Sequence, residues 1–493
     1  MKNKAILARV GRTSALALIA TGCMGAGGSI PSASAPITQA EAQQGAQYHP
    51  QFLAEFGGAM AGPHAAYVEQ VGKNIAVQSG LGNARESFTV SLLNSPVNNA
   101  FAVPGGYIYS TRQLVTLMNN EAELAGVLGH EVGHVAARHS QRRQQAAQKN
   151  SLLGGLLAIG SAILLGDSGI GNTLARGFLQ GSQLLTLRFS RKQELEADQL
   201  GIRYLTSAGY DPNAMSTVLS SLAAQNALDA QLQGRANATI PEWASTHPDP
   251  ASRVQTARTS AAGLPGSVTN RDTFLARIDG LLYGDDPEQG VVEGSQFIHP
   301  VMRLSFTAPQ GFYMVNGTRA VSINGQGGKA QLALAPYNGD LDSYIRQQFK
   351  TLGGENNNLA PSSIQRTTVN GIPAAYGTAR VNSGNSQVDV VVFAYEFARD
   401  RAYHFQALTP AGSSNVFSAM FQSMRRVTQS EAANIVPRKL DVVTVQRGDT
   451  VTSLARRMAY DSAQAERFRV LNALGSSDTL AAGQKVKLVV RGR

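Results

Sequence analysis

Residues 121–138, EAELAGVLGHEVGHVAAR, contain two histidines four positions apart, with a glutamate directly after the first of them. Apolar residues recur in this segment at helical spacing, so we predict one helix. On that helix His130 and His134 lie on one face, one turn apart, where both imidazoles can bind a single tetrahedral zinc ion. Glu131 then points toward the open coordination position, where it can act as general base toward a metal-bound water.

The alternative for this segment is a chance match on a charged helix, since short patterns recur by accident. The flanking residues argue against it, because Leu124, Val127 and Leu128 predict a buried side. Gly133 is expected to remove bulk beside the metal. We therefore predict a zinc metalloprotease site with one Zn²⁺ per chain. Cys23 is the single cysteine, so a cysteine-based zinc site is not possible and any metal must be held by His, Asp or Glu.

A third ligand is available in residues 190–198, SRKQELEAD, a second helix-like segment. On a helix Glu194 and Asp198 share a face, whereas Glu196 points elsewhere. Glu194 is then a natural zinc ligand, and Asp198 a partner that orients a ligand histidine. The residues alone leave this open, because most glutamate-rich helices simply present a solvated charged face.

The two segments together resemble the gluzincin metallopeptidases of the HtpX, BepA and CAAX-prenyl-protease family. The resemblance extends to residues 99–106, NAFAVPGG, and 245–248, STHP, and spans about residues 48–260. It implies that Glu194 is the third zinc ligand, and it matches Asp198 to the aspartate that closes the family's second motif. Long hydrophobic spans are missing, so the resemblance is closer to the soluble periplasmic, BepA-like branch.

His247 precedes a proline in the loop that leads to Asp249 and Pro250. Taken alone, it is best interpreted as a loop cap. In the family that the chain resembles, this His-Pro histidine sits at the active site, which implies that His247 stabilises the transition state or caps the zinc in a closed state. Arg253, one turn further on, is expected to accompany it.

Residues Asn99, Ala100, Phe101 and Ala102 belong to a predicted short strand beside the zinc. We predict that it is an edge strand, with which an extended substrate pairs through backbone hydrogen bonds. Such pairing suits a protease that acts on unfolded chains. The alternative is a strand with a purely structural role.

The predicted fold class is multidomain. A mostly α-helical, zincin-type metalloprotease domain with a small β-sheet precedes an α+β domain and a small βααβ, LysM-like domain. The expected bounds are a signal peptide at 1–22, a flexible tether at 23–45, the metallopeptidase domain at 46–265, a linker at 266–295, the α+β domain at 296–430 and the LysM-like domain at 438–490.

The α+β domain and an apolar run at 152–165 each support a separate prediction. The α+β domain weakly resembles PsbP/Mog1-like domains and shows no catalytic cluster. The apolar run at 152–165, LLGGLLAIGSAILL, is too short for an ordinary membrane span. We predict a buried helix there, with membrane contact as the alternative.

The N-terminus resembles a secretion signal, with basic residues before the apolar run 14–20, SALALIA, and then Gly22 and Cys23. The Gly-Cys junction resembles a lipoprotein cleavage site and implies a lipid anchor at Cys23, although Ala20 stands where leucine is usual. The alternative is a plain signal peptide cut nearby.

The C-terminal segment opens with TVQRGDTV at 444–451 and closes with GQKVKL at 483–488, and it resembles a LysM domain. The resemblance implies binding of glycans that contain N-acetylglucosamine, and hence of peptidoglycan through residues 438–490. Residues 459–461 depart from the usual glycine-containing turn. The alternative is a LysM-like fold that contacts proteins.

The formal net charge of +10 favours anionic surfaces. The basic residues are scattered and no nucleic-acid motif occurs, so nucleic acid is not an expected partner. The function predicted is an endopeptidase that cleaves misfolded or misassembled proteins in the periplasm of a Gram-negative-type envelope. The rivals are a non-catalytic chaperone or assembly factor on the same fold and, less favoured, a peptidoglycan hydrolase.

Overall fold

The computed structural model describes residues 35–151, 189–232, 247, 250–354, 358–383 and 386–492. The predicted signal peptide with Cys23, and the apolar run at 152–165, lie outside the described residues. Within the described ranges, no helix is both long enough and apolar enough to cross a membrane.

The described part contains α-helices and β-strands, together with a few short 3₁₀ helices. The helices are α1 (Gln39–Glu55), α2 (Pro63–Ala76), α3 (Ala84–Ser87), α4 (Arg112–Leu117), α5 (Glu121–Ala136), α6 (His139–Ser151), α7 (Arg191–Ser207), α8 (Ala214–Leu232), α9 (Pro250–Ala261), α10 (Arg271–Ile278), α11 (Leu341–Gly353), α12 (Ser418–Ser423), α13 (Gln429–Ala433), α14 (Val451–Ala455) and α15 (Gln464–Leu471). The strands are β1 (Thr89–Leu93), β2 (Ala100–Val103), β3 (Tyr107–Thr111), β4 (Leu282–Tyr283), β5 (Val291–Glu293), β6 (Gln296–His299), β7 (Leu304–Thr307), β8 (Tyr313–Asn316), β9 (Ala320–Gly325), β10 (Gly328–Leu334), β11 (Ser363–Val369), β12 (Ile372–Ser383), β13 (Ser386–Ala398), β14 (Arg401–Pro410), β15 (Arg425–Arg426), β16 (Arg438–Thr444) and β17 (Lys485–Arg491).

The first domain is helical with one small sheet, as predicted. The sheet has the order β1-β3-β2, with β3 parallel to β1 and antiparallel to β2, so β2 lies at its edge. The predicted turn between β2 and β3 contains Gly105, whose φ of +88° favours glycine. A side chain there would also meet the carbonyl oxygen of Glu41, 2.4 Å from the position of a Cβ atom.

Helix α5 carries the HExxH motif and is the buried centre of this domain. It begins where the side chain of Asn120 accepts a hydrogen bond from the Glu123 amide at 2.9 Å. Gly133 serves helix packing rather than space beside a metal, because a Cβ atom there would lie 3.1 Å from Leu200 Cβ and 3.2 Å from the Ala197 carbonyl oxygen on α7. The missing side chain lets α5 and α7 approach closely.

The predicted flexible tether ends earlier than expected. Helix α1 begins at Gln39, because Thr38 and Glu41 form a capping box. Phe52 of α1 and Phe56, the residue directly after this helix, pack against Phe101 of the edge strand. The apolar face that secures this helix lies beyond residue 45, which explains why the composition of 23–45 alone did not indicate it.

The predicted linker at 266–295 also contains regular structure. Helix α10 buries Phe274, Leu275 and Ile278, which form one apolar face within an otherwise polar segment. Strand β4 then pairs with β16 and extends the sheet of the C-terminal module to three strands in the order β17-β16-β4. The segment therefore joins the helical domain to the module through main-chain pairing.

The middle region has the predicted α+β composition. Seven antiparallel strands follow the order β11-β12-β13-β14-β10-β9-β8, and a four-stranded sheet follows the order β15-β7-β6-β5. Helix α11 packs on β12 and β13. The C-terminal module has the predicted βααβ order, with β16, α14, α15 and β17.

Candidate metal centre

Four buried side chains from three segments converge between α5 and α7. They are His130, His134, Glu194 and His247, and each offers a ligand atom within 4.8 Å of the others. The Nε2 atoms of His130 and His134 lie 3.0 Å apart, near the roughly 3.3 Å expected when two nitrogens bind one tetrahedral zinc. Each oxygen of the Glu194 carboxylate lies 3.5 Å from one of these nitrogens.

Asp198 and Arg253 form a charged layer behind His130. The Nδ1–H of His130 donates to Asp198 Oδ1 at 2.9 Å, which leaves Nε2 for a metal. The Arg253 guanidinium donates from Nε to Asp198 Oδ2 at 2.8 Å and lies 3.0 Å from Glu194 Oε2. One arginine thus orients both carboxylates, and the structure brings these predicted residues together.

Burial and the interactions among the ligand candidates shift the pKa values of these groups. Burial would raise the pKa of Glu194, but His247 and His130 hold it well below its usual range. Burial lowers the pKa of His134 far below its usual value, aided by the charge of His130. Burial also opposes protonation of His130, but hydrogen bonds to Asp198 and Glu194 raise its pKa to about 9. A metal would therefore displace a proton from His130.

Glu131 faces the same space as the four ligand candidates. Its side chain is 2% exposed, and its Oε2 atom has no hydrogen-bond partner among the described residues. Burial raises the pKa of this carboxyl group. Two imidazoles, one ionised carboxylate and an adjacent buried carboxyl without a full set of partners fit one zinc ion and a water molecule.

The comparisons with known proteins agree with this geometry. Residues 63–261 match Peptidase family M48. They form an M48 metallopeptidase domain. Residues 443–489 match the LysM domain, which confirms the resemblance predicted for the C-terminal module.

Two groups of relatives match the M48 domain. The chain is 33% identical over 214 residues to the beta-barrel assembly-enhancing protease of Escherichia coli (strain K12), a match covering 43% of this chain and 42% of the relative. It is 33% identical over 211 residues to the mitochondrial metalloendopeptidase OMA1 of Schizosaccharomyces pombe, covering 43% of this chain and 56% of that one. The chain thus spans about half the length of the relatives that it matches.

The M48 domain contains a support for His134 that sequence reasoning missed. The Nδ1 atoms of His134 and His139 lie 2.8 Å apart, and the ring of Phe189 stacks on His134 with centroids 4.0 Å apart. Glu196 is not among the four ligand candidates, and its carboxylate lies 3.3 Å from His139 Nε2. A histidine directly after the motif helix was the available signal, but its role depends on how the chain turns at Arg138, where φ is +51°.

The edge strand of the M48 domain borders the site. The Nε2–H of His247 donates to the Ala100 carbonyl oxygen at 3.2 Å, and Asn99 and Ala100 line an apolar pocket beside His130 and Glu131. Asn98, His247 and Arg253 also line this pocket, and its apolar walls are formed by Leu114, Val127, Met215, Val218, Leu219 and Leu222. Phe101 faces the opposite way, toward Phe52 and Tyr109, so its role is to anchor the strand.

Proposed function

We propose that the chain is a zinc-dependent endopeptidase of a Gram-negative-type cell envelope. The observation that carries this proposal is the buried convergence of His130, His134 and Glu194 around a space that Glu131 also faces. A zinc ion bound there supplies a Lewis acid for a peptide carbonyl and lowers the pKa of a bound water to about 7. His130, His134 and Glu194 are the proposed ligands.

The chain's own residues supply the proton transfer and the positioning. Glu131 is the proposed general base, and burial, which raises its pKa, moves that carboxyl group toward the working range of a base near neutral pH. The edge strand β2 is the proposed partner of an extended substrate, through main-chain hydrogen bonds at Asn99 to Ala102. The apolar pocket beside Ala100 accepts an apolar substrate side chain.

His247 is proposed to cap this site. Its Nδ1 atom lies 3.0 Å from Glu194 Oε2, and its Nε2 atom lies 3.4 Å from Glu131 Oε1. The same Nε2–H donates a hydrogen bond to the carbonyl oxygen of Ala100. A substrate that pairs with β2 needs this oxygen as its own hydrogen-bond acceptor. A substrate must therefore displace His247 to bind.

We expect the His247→Ala variant to digest casein and itself faster than the wild type, because the cap is removed. The measurement is the rate of both cleavages at matched zinc content, with His64→Ala as a control that removes a half-buried histidine bonded to the Asp279 carbonyl oxygen. If His247 instead donates to the oxyanion, the rate falls by roughly 10²–10³-fold. Unchanged rates in both assays would remove His247 from the active site.

The proposed substrates are misfolded or misassembled envelope proteins. Support comes from the matched Escherichia coli relative, a beta-barrel assembly-enhancing protease, and from the LysM match, which favours peptidoglycan as a partner of residues 438–490. A strand edge that His247 has vacated would accept unfolded chains of many sequences, because it recognises main-chain groups. These features support a proposed location in the periplasm, close to the wall.

One preparation of the full chain separates this proposal from its rivals. Digestion of casein, with co-sedimentation on purified peptidoglycan that stays intact, is the expected outcome. A non-catalytic chaperone would bind unfolded protein without cutting it, and a peptidoglycan hydrolase would release soluble wall fragments. Failure to cut casein at full zinc content would reject the endopeptidase proposal.

We also propose a lipid anchor at Cys23, from the Gly22-Cys23 junction. Cys23→Ser is expected to release the mature protein from membranes or to block processing, because the thiol that carries the lipid is lost. Membrane fractionation and mass spectrometry of the mature N-terminus provide the measurement. A wild-type protein that is already soluble and starts beyond Cys23 would refute the anchor.

A further inference from the structure

A buried lysine of the C-terminal module reaches into the M48 domain. Lys487 lies on β17, and its side chain is 0% exposed. Its Nζ group donates three hydrogen bonds, to the carbonyl oxygens of Thr116 at 2.9 Å, Leu117 at 3.2 Å and Met118 at 2.6 Å. Three acceptors match the three donors of an ammonium group and so favour the protonated form, while burial lowers the pKa of Lys487 to about 7.

These three carbonyl groups lie at the C-terminal end of α4. The last carbonyls of a helix have no partner within the helix itself, so an outside donor must satisfy them when they are buried. Here the donor comes from the far end of the chain. Lys487 is itself held by Asn472 at the end of α15, which accepts from the Lys487 amide at 2.7 Å and donates to its carbonyl oxygen at 2.9 Å.

Glu123 connects the end of α4 to helix α8, which forms part of the wall of the apolar pocket. The Asn119 amide donates to Glu123 Oε2 at 2.7 Å, and the Thr217 hydroxyl donates to Glu123 Oε1 at 2.8 Å. Thr217 belongs to α8, the helix whose Met215, Val218, Leu219 and Leu222 line the apolar pocket. Burial raises the pKa of Glu123, and the charge of Lys487 opposes that shift.

The module also packs on α8 directly. Helix α15 contacts α8, and one continuous hydrophobic cluster contains Leu219 and Leu222 from α8 together with Phe468 and Leu488 from the module. A flexibly tethered module would have a core of its own that is separate from the catalytic domain. Here the two cores are joined.

We propose that the LysM module is a docked part of the catalytic unit, in which Lys487 is a positioning residue for the pocket wall α8. The surface at the end of α4 and along α8 fits this chain's own module as its partner. Substrate affinity then depends on a residue that lies outside the M48 match and touches none of the proposed zinc ligands.

The first test measures docking without using activity, in a Glu131→Gln background that prevents self-cleavage. Lys487→Met is expected to lower the melting temperature by roughly 5–10 °C and to speed amide exchange in residues 112–123 about tenfold or more, because three buried carbonyl groups lose their hydrogen-bond donor. The matched control is Lys439→Met, a half-buried lysine on the neighbouring strand β16, which should change neither. Unchanged exchange in Lys487→Met would overturn the proposal.

If Lys487→Met does not fold, the double variant Glu123→Gln/Lys487→Met provides the test of the proposal. It removes the carboxylate that would be left buried without its cation, so recovery of soluble protein supports the coupling between the two residues. A double variant that folds no better than the single one would overturn it.

The second test measures positioning, and it rests on the proposed endopeptidase function. In the active enzyme, Lys487→Met should raise KM for casein several-fold, with zinc content unchanged and kcat changed less than KM, because α8 loses its support. Glu123→Gln added to it should restore part of the loss. An unchanged KM would remove Lys487 from the positioning role, whereas an inactive wild type would refute the proposed function and leave the exchange result standing.

Discussion

Glu131→Gln is expected to keep the fold and the zinc while proteolysis falls by about 10²–10⁴-fold or more. Glutamine has nearly the same shape as glutamate, so the buried space beside His130 stays filled, but an amide cannot take a proton from water. Glu131 is 2% exposed and sits on the helix that carries both histidines, where a structural change would also be visible as lost zinc. Activity and metal content must therefore be measured on the same sample.

Casein cleavage and elemental analysis of the purified variant supply the measurement. Glu86→Gln makes the same chemical change on the exposed surface of the M48 domain and should cut casein at the wild-type rate. If Glu131→Gln cuts casein fully, another group must be the base, and the mechanism proposed here is wrong. Loss of zinc in this variant would instead assign Glu131 a role in holding the site together.

Glu194→Ala is expected to lose zinc almost completely. The Glu194 carboxylate is 0% exposed and lies 3.5 Å from the Nε2 atoms of both His130 and His134, so its removal takes away the one carboxylate among the four ligand candidates. Removing it also leaves the Arg253 guanidinium without one of its two carboxylate partners. The expected result combines near-zero zinc per chain with loss of casein cleavage.

Glu196→Ala is the matched comparison, because both glutamates occupy the same helix two residues apart. Glu196 contacts His139 and Arg142 rather than the metal space, so its variant should retain zinc. Elemental analysis of the two variants after dialysis against a weak chelator gives the answer. Zinc retained in Glu194→Ala and lost in Glu196→Ala would reverse the ligand assignment.

Several parts of the molecule were predictable from local pattern. The spacing of His130 and His134 places both on one face of a helix regardless of context, because the helical repeat alone sets that geometry. The small β-sheet and the later α+β region followed from alternation and turn residues in the same way, whereas the βααβ order of the C-terminal module was implied by its resemblance to LysM domains. Helix α10 was missed because its three buried residues lie in a polar segment, and their burial depends on α2 and α5 of the first domain together with β16 and β17 of the module.

The sequence by itself determined the metal chemistry, since two histidines at helical spacing with Glu131 between them leave few other uses for those residues. Only the tertiary structure decided which face of α7 is buried, and therefore that Glu194 meets the histidines while Glu196 meets Arg142. The same holds for His247, His139 and Lys487, whose partners lie in other segments. Long-range contacts of this kind depend on how buried surfaces of distant segments pack together. The spacing of residues within one segment does not indicate which distant segment it will contact.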